Sequence, residues 1–259
     1  MQKVNKFIVM FLQKLKIGSA IAPVLVKLTG KHKDKIHPKH LIVIDSKEWY
    51  EPWIKKSDRV LDIGCGNGQR TIKIAKISKK VVGFDFSPDS IGLADKEAKK
   101  LGVKNVNFYK GDAEKVFKEK NNSFDVVFIC DVIEHLRNDN MVLSEIHRVL
   151  ISNGKLLLVA PNIETGWKKI QKKAGLFYFS DPDHKREYRK EDLEEKIEKA
   201  GFKILSISTV VYDTPFSGLI DLVGGISLGL YKKLSLWKKN YAISHPRESI
   251  GFKISAQKL

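Results

Sequence analysis

The 259-residue chain predicts an α/β fold: a doubly wound, mostly parallel sheet with helices on both faces. Two observations predict it. From Arg59 onward strand and helix signals alternate, and the strand segments are continuously apolar, as strands buried on both faces must be. A glycine-rich turn, Gly64-Cys65-Gly66-Asn67-Gly68, joins the first strand of that series to its first helix. Ligands of such sheets bind there, beyond the carboxyl ends of the strands.

The elements follow in order. Val4, Phe7, Ile8, Phe11 and Leu15 recur at helical spacing with Lys3, Lys6, Gln13 and Lys14 off that face, so an amphipathic helix opens the chain. Its apolar run stops at Leu12, too short and too quickly followed by charge for a secretory signal. Residues 19–28 read as a second short helix ended by Gly30 and the basic run Lys31-His32-Lys33. His37-Pro-Lys-His40 and the aromatics Trp49, Tyr50 and Trp53 come next; packing as a covering segment is their expected role, because aromatics bury large areas. Strands are expected at 60–63, 80–84, 105–109, 124–129, 155–160, 203–211 and 250–256, and helices at 69–77, 88–101, 139–150 and 190–200. Ser87 suits the N-cap of the helix at 88–101, with Pro88 at its first position, and Gly201 closes the last helix.

Residues 213–250, between the last two strands, far exceed what a hairpin needs. They hold an apolar stretch, 215–231, interrupted by Asp221 and by Gly218, Gly224, Gly225 and Gly229. A spanning helix wants about 20 predominantly apolar residues, so no transmembrane span is assigned. The expected organisation is an amphipathic helical extension over 1–45 and a main domain over 46–259 carrying an insertion at about 213–250. The two apolar additions either pack on the body as a lid or lie in a membrane interface with their lysines on anionic head groups.

Composition narrows the class. A net charge of +17 with 42% hydrophobic residues excludes a disordered tail protein. Cys65 and Cys130 both sit in apolar runs, which argues against a disulfide framework or a Cys-based zinc site and for a reducing, cytoplasmic compartment. The charge is +8 over 1–59, +3 over 60–160 and +6 over 161–259. Basic flanks fit an anionic membrane surface, nucleic acid or a lysine-rich solvated face. With 40 Lys against seven Arg, nucleic acid is the less favoured partner, because planar recognition uses arginine.

The dinucleotide fingerprint needs a third glycine where this chain has Gln69, which disfavours a nicotinamide or flavin cofactor. Asp85 ends the second strand, where a carboxylate accepts hydrogen bonds from ribose hydroxyls. The segments 60–68 (VLDIGCGNG), 83–87 (GFDFS), 111–113 (GDA), 124–136 (FDVVFICDVIEHL) and 150–159 (LISNGKLLLV), in this order and spacing, resemble the class I S-adenosylmethionine-dependent methyltransferases, in the branch acting mostly on small molecules and lipids. The resemblance covers roughly residues 45–205 and the last strand. It implies a Rossmann-like, seven-stranded sheet with an antiparallel last strand, and S-adenosylmethionine as cofactor. It also implies that Asp62, Gly64, Cys65 and Gly66, with Gly68 beside them, hold the methionine part and that Asp85 binds the ribose. Phe86 would line the adenine, Asp112 and the amide of Ala113 would meet its edge, and Asp131 and Val132 would close the cofactor site. Loop capping is the alternative role for Asp112 and Asp131.

Methyl transfer needs alignment above all, and a base only where the nucleophile arrives protonated. His135 is the first candidate base, with a packed helix-start histidine as the alternative. His184 and Tyr188 lie where similar proteins often carry a His and an aromatic near the substrate. Asp131, Glu134, His135 and His184 are loosely similar to the metal-binding set of small-RNA 3′-end methyltransferases; Asp in place of the first Glu argues against a metal, and none is assigned. The expected function is methyl transfer to a small-molecule or lipid-like acceptor at the inner face of a membrane. An RNA or protein methyltransferase and a non-catalytic cofactor-binding module are the alternatives.

Overall fold

The structure, a computed structural model, describes residues 5–45 and 47–259. In chain order the elements are α1 (Lys6–Lys14), α2 (Ile17–Leu28), β1 (Arg59–Ile63), α3 (Gln69–Ile77), β2 (Lys80–Asp85), α4 (Pro88–Lys100), β3 (Val106–Lys110), β4 (Phe124–Cys130), α5 (Asp139–Val149) and β5 (Leu150–Pro161). Then come α6 (Gly166–Lys173), α7 (Lys190–Lys199), β6 (Phe202–Thr209), α8 (Ser217–Ile226), α9 (Leu228–Ser244) and β7 (Gly251–Lys258). The seven strands form one sheet in the order β3-β2-β1-β4-β5-β7-β6. Strands β1 to β5 pair in parallel. β7 runs against β6, since the Val210 amide donates to the Gly251 carbonyl at one end and the Leu259 amide to the Gly201 carbonyl at the other. The strand order reverses between β1 and β4, which places a crevice at their carboxyl ends.

The described residues fall into two compact units. One holds Glu48–Pro161, Asp181–Ser208 and Phe252–Leu259. Its core is the sheet: Leu61, Ile63, Val127, Ile129, Leu156 and Leu158 are fully buried with Leu143 and Ile146 of α5 and Leu193 and Ile197 of α7. Ser87 caps α4 as its position predicts, its hydroxyl accepting from the Ser90 amide at 3.2 Å. β5 begins at Leu150, five residues before the expected strand. Ser152-Asn153-Gly154 reads as a turn, but a register shift opposite Phe124 and Val126 and a left-handed Asn153 (φ 62°) absorb it within the strand.

The other unit gathers the described residues of Met1–Lys47 with Asn162–Ser180 and Thr209–Gly251. Helix α1 begins at Lys6, capped by Asn5; Val4 of the predicted apolar face and Lys3 of its polar side lie outside the described residues. Val9 of α1 packs with Trp167 and Ala174 around α6, an element that its polar Lys168-Lys169 and Lys172-Lys173 pairs hid in the sequence. The apolar insertion is two helices, α8 and α9, parted at Ser227, whose hydroxyl caps α9. Helix α2 packs on α8 at backbone distance: a Cβ on Gly18 would lie 2.3 Å from the Gly218 carbonyl oxygen. Asp221 anchors the pair, accepting from the Ser19 hydroxyl at 2.5 Å and the Tyr231 hydroxyl at 3.1 Å, with His37 Nε2 at 3.4 Å. Taken together, Lys6–Leu28 reach 23 residues and contain an 18-residue window with a mean hydropathy of 1.5, long and apolar enough to cross a membrane by length and composition alone. The shorter runs weighed separately in the sequence conceal that length.

Candidate functional site

The glycine turn sits where β1 meets α3. The amides of Gly64 and Cys65 both donate to the Phe84 carbonyl, at 2.9 and 3.0 Å, which ties the turn to the end of β2. Gly64, Gly66 and Gly68 all have positive φ, at 68°, 53° and 76°. Their surroundings differ. A Cβ on Gly64 would overlap Val132 at 2.3 Å and one on Gly68 would overlap Ala94 at 2.7 Å, whereas one on Gly66 would meet nothing within 4 Å. Gly64 and Gly68 are therefore demanded by packing, and Gly66 faces open space.

Asp85, at the tip of β2, accepts from the Gly66 amide through Oδ2 and from the Ser87 amide through Oδ1, both at 2.9 Å. A carboxylate has about four lone-pair sites, so two remain for the hydroxyls of a ligand lying against Gly66. Asp62 is buried under the turn, its Oδ2 accepting from the Thr71 hydroxyl at 2.6 Å. Burial pushes its carboxyl up from 3.8 to about 6, against the pull of the Thr71 hydrogen bond and of Arg70. Burial also pushes the Cys65 thiol up, with Asp62 and Asp85 adding to it, so Cys65 is a packing residue and no nucleophile. An open left-handed glycine, a fixed carboxylate with spare acceptors and a buried acid beneath them fit a nucleoside-type cofactor of the kind the resemblance implies.

Around this cradle, Phe86 is 73% exposed, with the Lys110 ammonium 6.0 Å from its ring centre. Asp112 Oδ1 accepts from the Glu114 amide at 2.9 Å, so one oxygen caps its own loop, and Oδ2 stands 3.7 Å from Lys115 Nζ. Ala113 and Val132 pack half-buried on the core. Asp131 adopts φ 58°, a left-handed backbone rare outside glycine, held by its amide bond to the Val159 carbonyl at 3.2 Å. Its carboxylate is 3.8 Å from Arg70, whose guanidinium lies 5.4 Å from the Phe128 ring centre. Sequence reading passed over Arg70; its signal was a cation at the second position of the helix that leaves the glycine turn. Trp49 and Tyr50 pack on Phe128, at 5.8 and 5.3 Å between ring centres, so they are packing aromatics as expected.

Beyond β4, a 3₁₀ turn over Ile133–His135 places Glu134 and His135 opposite the loop carrying His184. Glu134 is buried, and burial pushes its carboxyl up to about 8. Its Oε1 lies 3.8 Å from His184 Nε2, while His184 Nδ1 is 2.9 Å from Glu187 Oε1. The rings of His135 and His184 meet edge to face at 4.8 Å. Tyr188 departs from its expected substrate-side role. It is buried, and its hydroxyl donates to Asp139 Oδ2 at 2.8 Å. That carboxylate also takes Arg186 and Lys196 at 3.0 Å each, and the neighbouring acid pushes the phenol further from ionisation, after burial. Tyr188 is thereby removed from the candidate proton-transfer groups. Glu187 and Asp139 were missed in the sequence, where nothing distinguishes them from solvated helix-flanking acids.

The family model described as a methyltransferase domain matches residues 54–203, a stretch that contains the glycine turn, Asp85 and the Glu134–His184 cluster. The chain belongs to the methyltransferase domain family. This methyltransferase domain is 33% identical over 116 residues to a probable cobalt-precorrin-6B C(15)-methyltransferase of Saccharolobus solfataricus, covering 43% of the chain and 57% of that protein. It is 29% identical over 224 residues to a ubiquinone biosynthesis O-methyltransferase of Rhizobium etli, covering 79% of the chain and 87% of that protein. The chain spans about half the length of several other curated relatives it matches. Among solved structures, the cyclase SpnF superposes with a TM-score of 0.58 at 21% identity, over 80% of this chain and 77% of that one, a likeness of fold.

Proposed function

We propose that this methyltransferase domain binds S-adenosylmethionine in the glycine-turn cradle and transfers its methyl group to an apolar small-molecule acceptor. The observation that carries the reading is the open Gly66 beside an Asp85 locked by two amides. In the reading, Asp85 holds the ribose hydroxyls, Phe86 flanks the adenine, Asp112 and the Ala113 amide meet its edge, and Gly64 and Gly66 run beside the methionine part. The bound cofactor supplies an electrophilic methyl on sulfur. The protein's own contribution is alignment and exclusion of water: Val132 packs against Gly64 and fixes the wall next to Asp131, and the burial of Asp62 keeps the floor dry. A protonated acceptor would give up its proton on the Glu134–His135–His184 side, where the two imidazoles are half-buried and Glu134 is buried.

Relatives named for ubiquinone biosynthesis favour an apolar acceptor. Exposed Phe7, Phe11, Ile17, Leu28, Ile226 and Trp237 in a lysine-rich unit favour a membrane surface as its source. Free, buried Cys65 and Cys130 suit the reducing cytoplasmic side. Titration calorimetry with S-adenosylmethionine tests the reading. One equivalent is expected to bind, and Asp85→Ala should weaken it about 10- to 100-fold, since hydrogen bonds to a charged group carry about 1.5–3 kcal/mol. Absence of binding by the wild type would leave a non-catalytic relative of the fold, because fold alone does not fix function.

A further inference from the structure

We propose that Glu134, His135 and His184 form a binding site for a divalent first-row transition-metal cation. The carboxylate oxygen and the two imidazole nitrogens that the three residues offer lie within 4.8 Å of one another. Ligands about 2.1 Å from a shared cation stand about 3.4 Å apart when tetrahedral. The 3.8 Å between Glu134 Oε1 and His184 Nε2 is already close to that spacing.

Glu134 supplies the observation that a mere cluster would lack. Its residue is 2% exposed, and Oε2 is buried with no hydrogen-bond partner among the described residues. A buried carboxylate left half-satisfied costs several kcal/mol unless it takes up a proton or a cation compensates it. His184 is set for the same task. Its Nδ1 lies 2.9 Å from Glu187 Oε1, and a carboxylate accepts, so Nδ1 carries the proton and Nε2 presents its lone pair on the Glu134 side. The Glu187 side chain is fully buried, the arrangement by which an outer carboxylate fixes the tautomer of a metal-binding histidine. The two segments are tied together, since the Lys185 amide donates to the Glu134 carbonyl at 2.8 Å.

Two imidazoles and one carboxylate suit zinc, iron, cobalt or nickel better than magnesium or calcium, which prefer all-oxygen sites. Three protein ligands also leave a coordination position for water or for an oxygen of the acceptor, as in catalytic rather than structural zinc sites. His135 and His184 are both half-buried and Glu134 is buried, so the cation would enter from the imidazole side. The competing account is a protonated His184 paired with Glu134 and Glu187, which binds no cation.

The experiment uses the tag-free, full-length chain, stripped with chelator and titrated with Co²⁺ alone, without S-adenosylmethionine or acceptor, so that its result is independent of methyl transfer. One equivalent of Co²⁺ with visible d–d absorption, displaced by Zn²⁺, is the expected result. His184→Ala should lower the affinity at least 100-fold and Glu187→Gln about 10- to 100-fold. Should His184→Ala fail to fold, His135→Gln at its half-buried position carries the comparison, with at least a 10-fold loss expected. A wild type that binds no stoichiometric Co²⁺ overturns the proposal. So do histidine variants that bind it as tightly as the wild type, because the ion then sits elsewhere.

Discussion

Gly66 and Gly68 share a left-handed backbone and differ in what surrounds them, which makes their alanine variants separable. Alanine in that conformation costs about 1–2 kcal/mol. At Gly66 this is the whole expected loss of stability, while the new methyl occupies the open cradle and should lower S-adenosylmethionine affinity at least 10-fold by calorimetry. At Gly68 the methyl meets Ala94 and the Phe108 ring at 2.7 and 2.9 Å, adding an overpacking cost of about 1–3 kcal/mol. Urea unfolding should therefore rank Gly68→Ala well below Gly66→Ala; the reverse order would contradict the assignment of cradle and packing glycine. Asp62 gives a pH signature. Its carboxyl is raised in the folded chain, from 3.8 to about 6, so the native state holds its proton more tightly than the unfolded chain does. Stability from this group is complete below pH 4 and is lost as pH rises through 6, by about 3 kcal/mol in all. Asp62→Asn should remove that dependence, so the gap between the two unfolding midpoints should change between pH 4 and 6 and stay level above 7. At this scale the glycine turn and Asp85 were legible because backbone demands write themselves as particular residue types at fixed spacing. Glu187 was not legible, since its role rests on burial beside His184, and burial of an acid leaves no trace in a Lys/Glu-rich segment.

Between elements, Asp139 at the start of α5 gathers Tyr188, Arg186 and Lys196, tying α5 to the loop before α7 and to α7 itself. Removing one partner from a buried ionic cluster costs about 3–5 kcal/mol, because the remaining charges are stranded. Asp139→Ala should lose about that much in chemical unfolding. Tyr188→Phe removes one hydrogen bond and should lose only about 1–2 kcal/mol while leaving cofactor affinity unchanged. A Tyr188→Phe variant of full stability but abolished methyl transfer would return the phenol to the catalytic set. The parallel strands were legible as elements because each is an apolar run bounded by polar turns. The left-handed Asn153 that carries β5 through Ser152-Asn153-Gly154 is fixed by pairing with β4, and α6 by packing on Val9, so neither was written locally. Long-range partners decided those two cases, as they decide propensity-neutral segments generally.

Across the whole molecule, charge and exposed apolar surface concentrate in the same unit. Met1–Lys47, Asn162–Ser180 and Thr209–Gly251 carry 19 Lys and Arg against 6 Asp and Glu, a net +13 of the chain's +17. The described residues of that unit also expose Phe7 at 82%, Phe11 at 63% and Trp237 at 47%. A soluble surface seldom pays for both at once, whereas an anionic bilayer rewards both. Burying one exposed Phe in the interface is worth about 1.5–3 kcal/mol, and each lysine near an anionic surface adds about 1 kcal/mol. Electrostatic attraction falls with salt while apolar insertion does not, so the two contributions can be read separately. The full-length protein is expected to float with vesicles containing phosphatidylglycerol and to leave neutral phosphatidylcholine vesicles largely unbound at low salt. Raising the salt to molar strength should release much of it. Replacing Phe7 and Phe11 together by Ser should lower vesicle partitioning at least 10-fold with S-adenosylmethionine affinity unchanged, since neither residue belongs to the unit that holds Gly66 and Asp85. Equal flotation with both lipids would assign the +13 to general solubility, and a protein that never floats would turn the apolar face over to a protein partner or to the acceptor itself.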